Sequence, residues 1–147
     1  MDDRIVIVDT NVLSFIFKGL RLGHQYSQLL ARFDVRISFV TEAELQVWAI
    51  KSRWGARRRR ELDLFLIGYP TIPYVKGMAK RYAEVIAEGE WAGRPIAWGD
   101  GWIATAALWH DIALVTHDSD FDRIPKLHVL NAPDVRPVAT RIDQLCC

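Results

Sequence analysis

The sequence predicts an α/β fold, with a mainly parallel central sheet flanked by helices, on three observations. The 147 residues have the length of about one domain, and no internal repeat or low-complexity linker divides them. Ile5–Val8 is an uninterrupted β-branched run, which is typical of a strand buried on both faces. Short apolar segments then alternate with segments of helical pattern. We therefore expect one domain over residues 1–147, with a core at about 4–130 and a C-terminal tail at 131–147.

The first half of the chain is predicted to hold two strands and four helices. The strand Ile5–Val8 runs into Asp9 and two further residues that cap helices. Thr41 and Glu44 have the spacing of a capping box, so a helix is expected to begin at Thr41. Gly19 and Gly55 are expected to end helices. The predicted strands are Ile5–Val8 and 35–40, and the predicted helices are 12–18, 24–32, 41–53 and 57–67.

The second half repeats the alternation of helix and strand. Gly89, Gly93 and Pro95 predict a loop over residues 88–97. The alanine-rich stretch that follows is the longest helical pattern in the chain. The remaining predictions are an extended piece at 71–75, helices at 77–87 and 99–110, strands at 112–116 and 127–130, and a polar turn at 117–123.

Acidic side chains occur at corresponding places along this pattern. Asp9 follows the first strand, Glu44 lies one helical turn beyond the second, and Asp100 lies in the first turn of the alanine-rich helix. Asp118 and Asp120 follow the strand at 112–116. Because the carboxyl ends of parallel strands share one edge of a sheet, we expect these groups to converge there. Clustered carboxylates repel one another, and an all-oxygen ligand set selects Mg²⁺ or Mn²⁺.

Each acidic residue also has an ordinary structural explanation. Asp9 and Asp100 could cap helices, Asp118 could close an Asx-turn, and Glu44 could complete the capping box. These explanations do not account for the position of all the acidic residues at the same predicted edge. The shared position therefore favours a metal-dependent site.

Four motifs, in order, carry a family resemblance. They are Asp9-Thr10-Asn11 after a strand, Glu44-Leu45 within Val40-Thr41-Glu42-Ala43-Glu44-Leu45, Asp100-Gly101-Trp102-Ile103-Ala104-Thr105-Ala106, and Thr116-His117-Asp118-Ser119-Asp120 after a strand. Together they resemble the motifs of PIN-domain proteins and, within that family, of VapC-type ribonuclease toxins. The resemblance extends from Ile5 to about Leu130.

The resemblance implies a single PIN-like domain that acts as a metal-dependent endoribonuclease. The acidic core of the family matches Asp9, Glu44 and Asp100 of this sequence, and either Asp118 or Asp120 supplies the fourth acid. One or two Mg²⁺ ions, or Mn²⁺ in their place, would activate a water on the phosphodiester, with Asp9 and Asp100 as ligands. The residues expected to orient the carboxylates are Thr10, Asn11 and Thr116.

The same resemblance implies a homodimer and a cognate antitoxin protein that blocks the acidic site. The alternative is a non-catalytic PIN-like module that binds RNA or protein. Such a module would keep the fold but hold no metal.

Positive charge is confined to one part of the sequence. The net charge of +1 excludes a strongly basic nucleic-acid-binding chain, so any contact with RNA must be local. The run Arg57–Arg58–Arg59–Arg60, with Arg53 nearby, is predicted to contact RNA phosphates, and the alternative is a solvated helix face. Trp98, Trp102 and Trp109 have helical spacing, which favours packing in the core or at a dimer interface over base stacking.

The remaining features predict a cytoplasmic protein. Cys146 and Cys147 are adjacent at the end of the sequence and do not suggest a fold-closing disulfide. The apolar run at the N-terminus is too short for a signal peptide, and no segment has the roughly 20 apolar residues of a membrane span.

Overall fold

The computed structural model describes residues 4–132, in which five parallel strands form the central sheet. The strands stand in the order β3-β2-β1-β4-β5, and every neighbouring pair is parallel. This architecture confirms the predicted fold class. From residue 133 the predicted tail lies outside the described residues, as do both cysteines. The strands are β1 (Ile5–Val8), β2 (Asp34–Ser38), β3 (Thr71–Ile72), β4 (Ala113–Val115) and β5 (Val129–Leu130).

In the part of the chain that the structure describes, six helices cover the two faces of the sheet. Val6 and Val8 of β1 belong to a core cluster with residues of the first four helices, whereas Ile7 belongs to a second cluster with the last two. The central strand is thus buried on both faces, as its non-alternating sequence predicted. The helices are α1 (Thr10–Phe17), α2 (Arg21–Leu30), α3 (Phe39–Lys51), α4 (Ala56–Ile67), α5 (Met78–Trp91) and α6 (Trp98–His110).

The junction between β2 and α3 differs from the prediction. The strand ends at Ser38, and the side chain of Ser38 caps α3 by accepting the backbone N–H of Val40 at 3.1 Å. Thr41 is therefore buried inside the helix, and the predicted capping box between Thr41 and Glu44 is wrong. The capping explanation for Glu44 is thereby removed, and its carboxylate is available for another role.

The predicted loop at 88–97 is also too long, because α5 continues to Trp91. Gly89 lies inside the helix, where the returning chain needs its lack of a side chain. A Cβ atom at Gly89 would lie 2.9 Å from the carbonyl oxygen of Arg94, and the N–H of Arg94 donates to the carbonyl of Gly89 at 2.8 Å. The glycine that indicated a loop thus permits a tight return against the end of a helix.

Within residues 4–132, no helix combines the length and the apolar character needed to cross a membrane.

Candidate active site

All five predicted carboxylates line one cavity of about 530 Å³ at the carboxyl edge of the sheet. Asp9 follows β1, Glu44 lies on α3, and Asp100 lies in the first turn of α6. Asp118 and Asp120 follow β4, at the start of a 3₁₀ turn over Ser119–Arg123. The fold therefore brings together acidic groups from four separate parts of the sequence, as expected from the parallel sheet.

Asp9 is held by hydrogen bonds to both of its carboxylate oxygens. The backbone N–H of Thr10 donates to Oδ1 at 2.8 Å, and the hydroxyl of Thr116 donates to Oδ2 at 2.8 Å. The residue is only 3% exposed. These bonds restrict the direction of the carboxylate, and the predicted role of Thr10 and Thr116 in orienting it for a metal stays a prediction.

Glu44 is joined to the same network through Thr10. The hydroxyl of Thr10 donates to Oε1 of Glu44 at 3.0 Å, and the hydroxyl of Thr41 lies 3.0 Å from that of Thr10. Gly99 allows the N-terminus of α6 to approach this carboxylate, because a Cβ atom there would lie 3.3 Å from both oxygens of Glu44. Sequence reasoning missed Gly99, although its place directly before Asp100 was a usable signal.

The two acids after β4 have different surroundings. The N–H of Asp118 donates to the hydroxyl of Thr116 at 3.0 Å, and Oδ1 of Asp118 accepts the N–H of Asp120 at 2.9 Å. Asp118 is buried, whereas the exposed Asp120 pairs with Arg123 at 3.9 Å. The Asx-turn expected for Asp118 is therefore present, and it leaves this residue inside the acidic network.

Burial and mutual repulsion disturb the protonation of this cluster. Burial, and to a lesser extent the charge of neighbouring carboxylates, raises the pKa of Asp9, Glu44 and Asp100 to about 7 in each case. Burial also raises the pKa of Asp118, although the nearby Arg123 opposes the shift. Near neutral pH these carboxyl groups are therefore partly protonated, and the cluster carries less than its full negative charge.

The donor set fits a hard divalent cation. Within the described residues, no group of three or more His, Cys, Asp or Glu side chains could hold a metal ion by itself. Mg²⁺, however, is commonly held by one or two carboxylates together with water and substrate phosphates. The predicted pair Asp9 and Asp100 would meet that requirement, since both carboxyl groups line the cavity and the charge of Asp9 raises the pKa of Asp100. Asn11, predicted to orient the carboxylates, also lines the cavity.

The predicted RNA-contacting arginines lie elsewhere, on or next to α4. Arg57 pairs with Glu61 at 3.5 Å, and the guanidinium of Arg58 lies 4.3 Å from the ring centroid of Trp54. Two arginines that sequence reasoning missed, Arg94 and Arg123, are among the residues that line the cavity. Their positions six residues before Asp100 and three after Asp120 were the available signal. The full set predicted on the sequence is Arg53, Arg57, Arg58, Arg59 and Arg60, and its contact with RNA stays a prediction.

The tryptophans of α6 do not form a common buried stripe. Trp102 stacks on Tyr82 with ring centroids 4.1 Å apart, but Trp98 is 73% exposed and Trp109 is 41% exposed. Core packing is therefore wrong for Trp98. The alternative of a dimer interface stays a prediction.

A parallel α/β domain with acidic residues gathered at one sheet edge is the arrangement expected of a PIN domain. The PIN domain family matches residues 6–127 of this chain. The chain belongs to the PIN domain family.

Its relatives define a narrower group. Ribonuclease VapC2 of Rickettsia felis is 32% identical over 130 residues, which cover 86% of this chain and 97% of that protein. Ribonuclease VapC1 of Haemophilus influenzae is 30% identical over 132 residues, which cover 84% of this chain and 94% of that protein. The resemblance to VapC-type proteins that the four motifs predicted is confirmed.

Solved structures give the same grouping. VapBC2 from Rickettsia felis, bound to a DNA fragment from its promoter, superimposes with a TM-score of 0.77 at 30% identity and covers 86% of this chain and 98% of its own. VapBC-1 from nontypeable Haemophilus influenzae gives a TM-score of 0.69 at 26% identity and covers 86% of this chain and 97% of its own. The chain thus matches almost the whole length of these relatives.

Proposed function

We propose that this protein is a Mg²⁺-dependent endoribonuclease and the toxin of a toxin–antitoxin pair. The observation that carries the proposal is the cavity in which Asp9, Glu44 and Asp100 each have a pKa near 7. Such a concentration of buried and half-buried carboxyl groups is unfavourable for a fold alone and suits a cation-dependent reaction. The names of the VapC relatives, which are ribonucleases, support the same activity.

The proposed reaction is hydrolysis of an RNA phosphodiester, with water adding to phosphorus and the 3′ oxygen leaving. Mg²⁺, or Mn²⁺ in its place, would supply a Lewis acid that polarises the phosphate and lowers the pKa of a bound water. Asp9 and Asp100 would hold the ion. Thr116 and Thr10 keep the Asp9 carboxylate in one orientation through their hydrogen bonds.

Glu44 and Asp118 have different proposed tasks. Oε1 of Glu44 accepts the hydroxyl of Thr10, which leaves Oε2 to take up the proton of the attacking water. A pKa of about 7 suits that exchange near neutral pH. Asp118 adds negative charge next to Asp9, and its buried position favours it over the exposed Asp120 as the fourth acid.

The proposed partners are RNA, a cognate antitoxin protein and a second copy of the chain. The structures of the relatives contain VapB with VapC, which supports an antitoxin partner for this chain. We propose that the antitoxin acts by covering the acidic cavity. The cytoplasm is the proposed location, since RNA is the proposed substrate.

The first experiment is cleavage of a total RNA pool by the purified protein with Mg²⁺, with Mn²⁺ and with EDTA, beside Asp9→Asn. We expect discrete fragments with 5′-phosphate ends that disappear with EDTA and in the variant. Asp63→Asn is the matched control, because Asp63 is an exposed aspartate of α4 whose side chain contacts Gln46. Cleavage by Asp9→Asn at the wild-type rate would exclude the proposed site. RNA binding without cleavage under any metal would support the non-catalytic module.

The toxin role has its own test. Induced expression in a bacterial host is expected to stop growth, and expression of Asp9→Asn to comparable levels is expected to leave growth unchanged. Equal arrest by both proteins would show that the toxicity does not depend on the acidic site.

A further inference from the structure

Residues 91–98, here called the rim segment, connect α5 to α6 along the edge of the acidic cavity. Four residues of this segment line the cavity and are exposed, namely Ala92, Arg94, Pro95 and Ala97. The segment begins and ends with tryptophans, Trp91 and Trp98, which are 84% and 73% exposed. Arg94 is thus an exposed cation between two exposed indoles, next to the proposed catalytic carboxylates. The reaction proposed for the cavity gives these three side chains no role.

The conformation of the rim segment is fixed by the protein. Gly93 ends α5 with a left-handed backbone, φ +71°, which glycine adopts without strain. The return against Gly89 then brings Arg94 back over the last turn of α5, through the 2.8 Å bond from its N–H. A side chain at position 89 would close this approach, since its Cβ would lie 2.9 Å from the Arg94 carbonyl. Arg94 is therefore held at the cavity by the backbone.

Trp98 packs against the ring of Tyr82, and most of its surface is exposed. Its ring lies 5.4 Å from that of Tyr82, and Tyr82 in turn stacks on Trp102 at 4.1 Å. The indole is thus restrained by a packed aromatic pair although most of its surface is open. A restrained, exposed aromatic ring is the platform on which single-stranded bases stack.

We propose that the rim segment binds single-stranded RNA beside the cleavage cavity, with Arg94 on a backbone phosphate and Trp98 stacked on a base. The inference rests on the proposed function and names the residues that would position its substrate. The acidic cavity repels phosphates, so a substrate strand needs cationic contacts at the edge. Arg123 is already paired with Asp120 at 3.9 Å, which leaves Arg94 as the better placed of the two arginines of the cavity lining.

The test measures binding separately from cleavage. A fluorescein-labelled, randomised 20-nucleotide single-stranded RNA is titrated by anisotropy in EDTA at several salt concentrations, and its integrity is checked afterwards on a gel. Trp98→Ala is expected to weaken binding about tenfold, and Trp98→Phe to recover most of it, because a phenyl ring still stacks. Arg94→Gln is expected to lower the salt slope of log Kd by about one.

The matched control is Arg32→Gln, which removes the same charge from an exposed position at the end of α2. It is expected to leave the salt slope within error of wild type. Thermal unfolding of every variant shows whether the fold is intact. Cleavage at saturating RNA should fall less than apparent affinity, as expected for residues that position the strand.

Two results would overturn the inference. In the first, wild-type protein binds and cuts RNA but Trp98→Ala and Arg94→Gln bind it as tightly as wild type. In the second, Trp98→Ala changes only the molar mass by light scattering, which would assign the indole to a contact between protein chains. If wild-type protein neither binds nor cuts RNA, the proposed function itself fails, and that outcome is distinct from both.

Discussion

The acidic cavity and helix α4 were both predicted to meet RNA, and they hold their charges in opposite ways. Asp9 is buried and Asp100 is half-buried, and repulsion adds to burial in raising the pKa of both carboxyl groups. The arginines of α4 are exposed, Arg57 pairs with Glu61, and Arg58 stacks on Trp54. An exposed pair of charges contributes little to folding, whereas buried like charges oppose it. The unfavourable arrangement is therefore the stronger indication of function.

The largest expected effect comes from Glu44→Gln, which changes one atom of the cavity. Loss of the group proposed to accept a proton should lower the cleavage rate by about 10²- to 10⁴-fold. Glu42→Gln is the matched control, since Glu42 lies on the same helix but is exposed and its carboxylate accepts only a long bond from Thr71 at 3.4 Å. Single-turnover cleavage at saturating RNA measures both. Equal loss in the two variants would remove the distinction between cavity and surface charge.

The next effect concerns stability in the absence of metal. Asp9, Glu44 and Asp100 have pKa values near 7 in the folded protein, against about 4 in an unfolded chain. Between pH 4 and 7 the folded state holds more protons, so the free energy of unfolding should fall as pH rises through this window. Burial lowers the pKa of His117, which acts in the opposite direction below its ordinary value of 6.5.

We therefore expect the free energy of unfolding of the metal-free protein to fall by about 2 kcal/mol between pH 5.5 and 8. The fall is smaller than the sum for three independent groups, because coupled groups do not contribute additively. Urea unfolding in EDTA measures the loss. Asp9→Asn should flatten the profile, and Mg²⁺ should stabilise wild type more at pH 8 than at pH 5.5, since protons compete for the ligands. A profile that rises steadily from pH 5.5 to 8 in EDTA would contradict the raised pKa values.

A smaller effect is expected from the residue that orients Asp9. Thr116→Val keeps the shape of the side chain but removes the hydroxyl that donates to Oδ2 of Asp9 and accepts the N–H of Asp118. Cleavage should fall about 10- to 100-fold, and Thr116→Ser should restore it. Thr105→Val is the matched control, because that buried hydroxyl donates only to the carbonyl of Gly101 within α6. A loss of cleavage in both valine variants would indicate damage to packing and not to orientation.

How far the sequence predicted the site depends on the type of signal. The position of Asp9 and Asp118 at one edge followed from their places just after predicted strands, because parallel strands place their carboxyl ends together. Asp100 follows no strand, and the motif resemblance indicated its place in the acidic core. The start of α3 was mispredicted because Ser38 and Thr41 both have capping side chains, and only the tertiary structure buries Thr41.

Contacts between segments that are distant along the chain could not be predicted from the sequence. The closeness of Gly99 to Glu44, and of Gly89 to Arg94, depends on how helices approach in space. A glycine in a single sequence indicates a loop as readily as a close approach, as the mispredicted loop at 88–97 illustrates. Core packing of Trp98 was wrong for a related reason, since helical spacing does not show which face of α6 the rest of the chain covers, and the predicted alternative of a dimer interface stays open.

The smallest expected effects come from α4, where the two predicted roles of its arginines can be separated. Arg58→Gln should lower stability by about 0.5–1 kcal/mol, because the guanidinium leaves the ring of Trp54. Arg59→Gln, at an exposed position, should change stability by a few tenths at most and lower the salt slope of RNA binding by about one if it contacts a phosphate. Cleavage at saturating RNA should stay within about twofold for both, since surface phosphate contacts position a strand without acting on the bond. A rate loss in Arg59→Gln that approaches the loss in Glu44→Gln would mean that α4 reaches the reacting phosphate, and the separation between buried and exposed charge would no longer divide catalysis from binding.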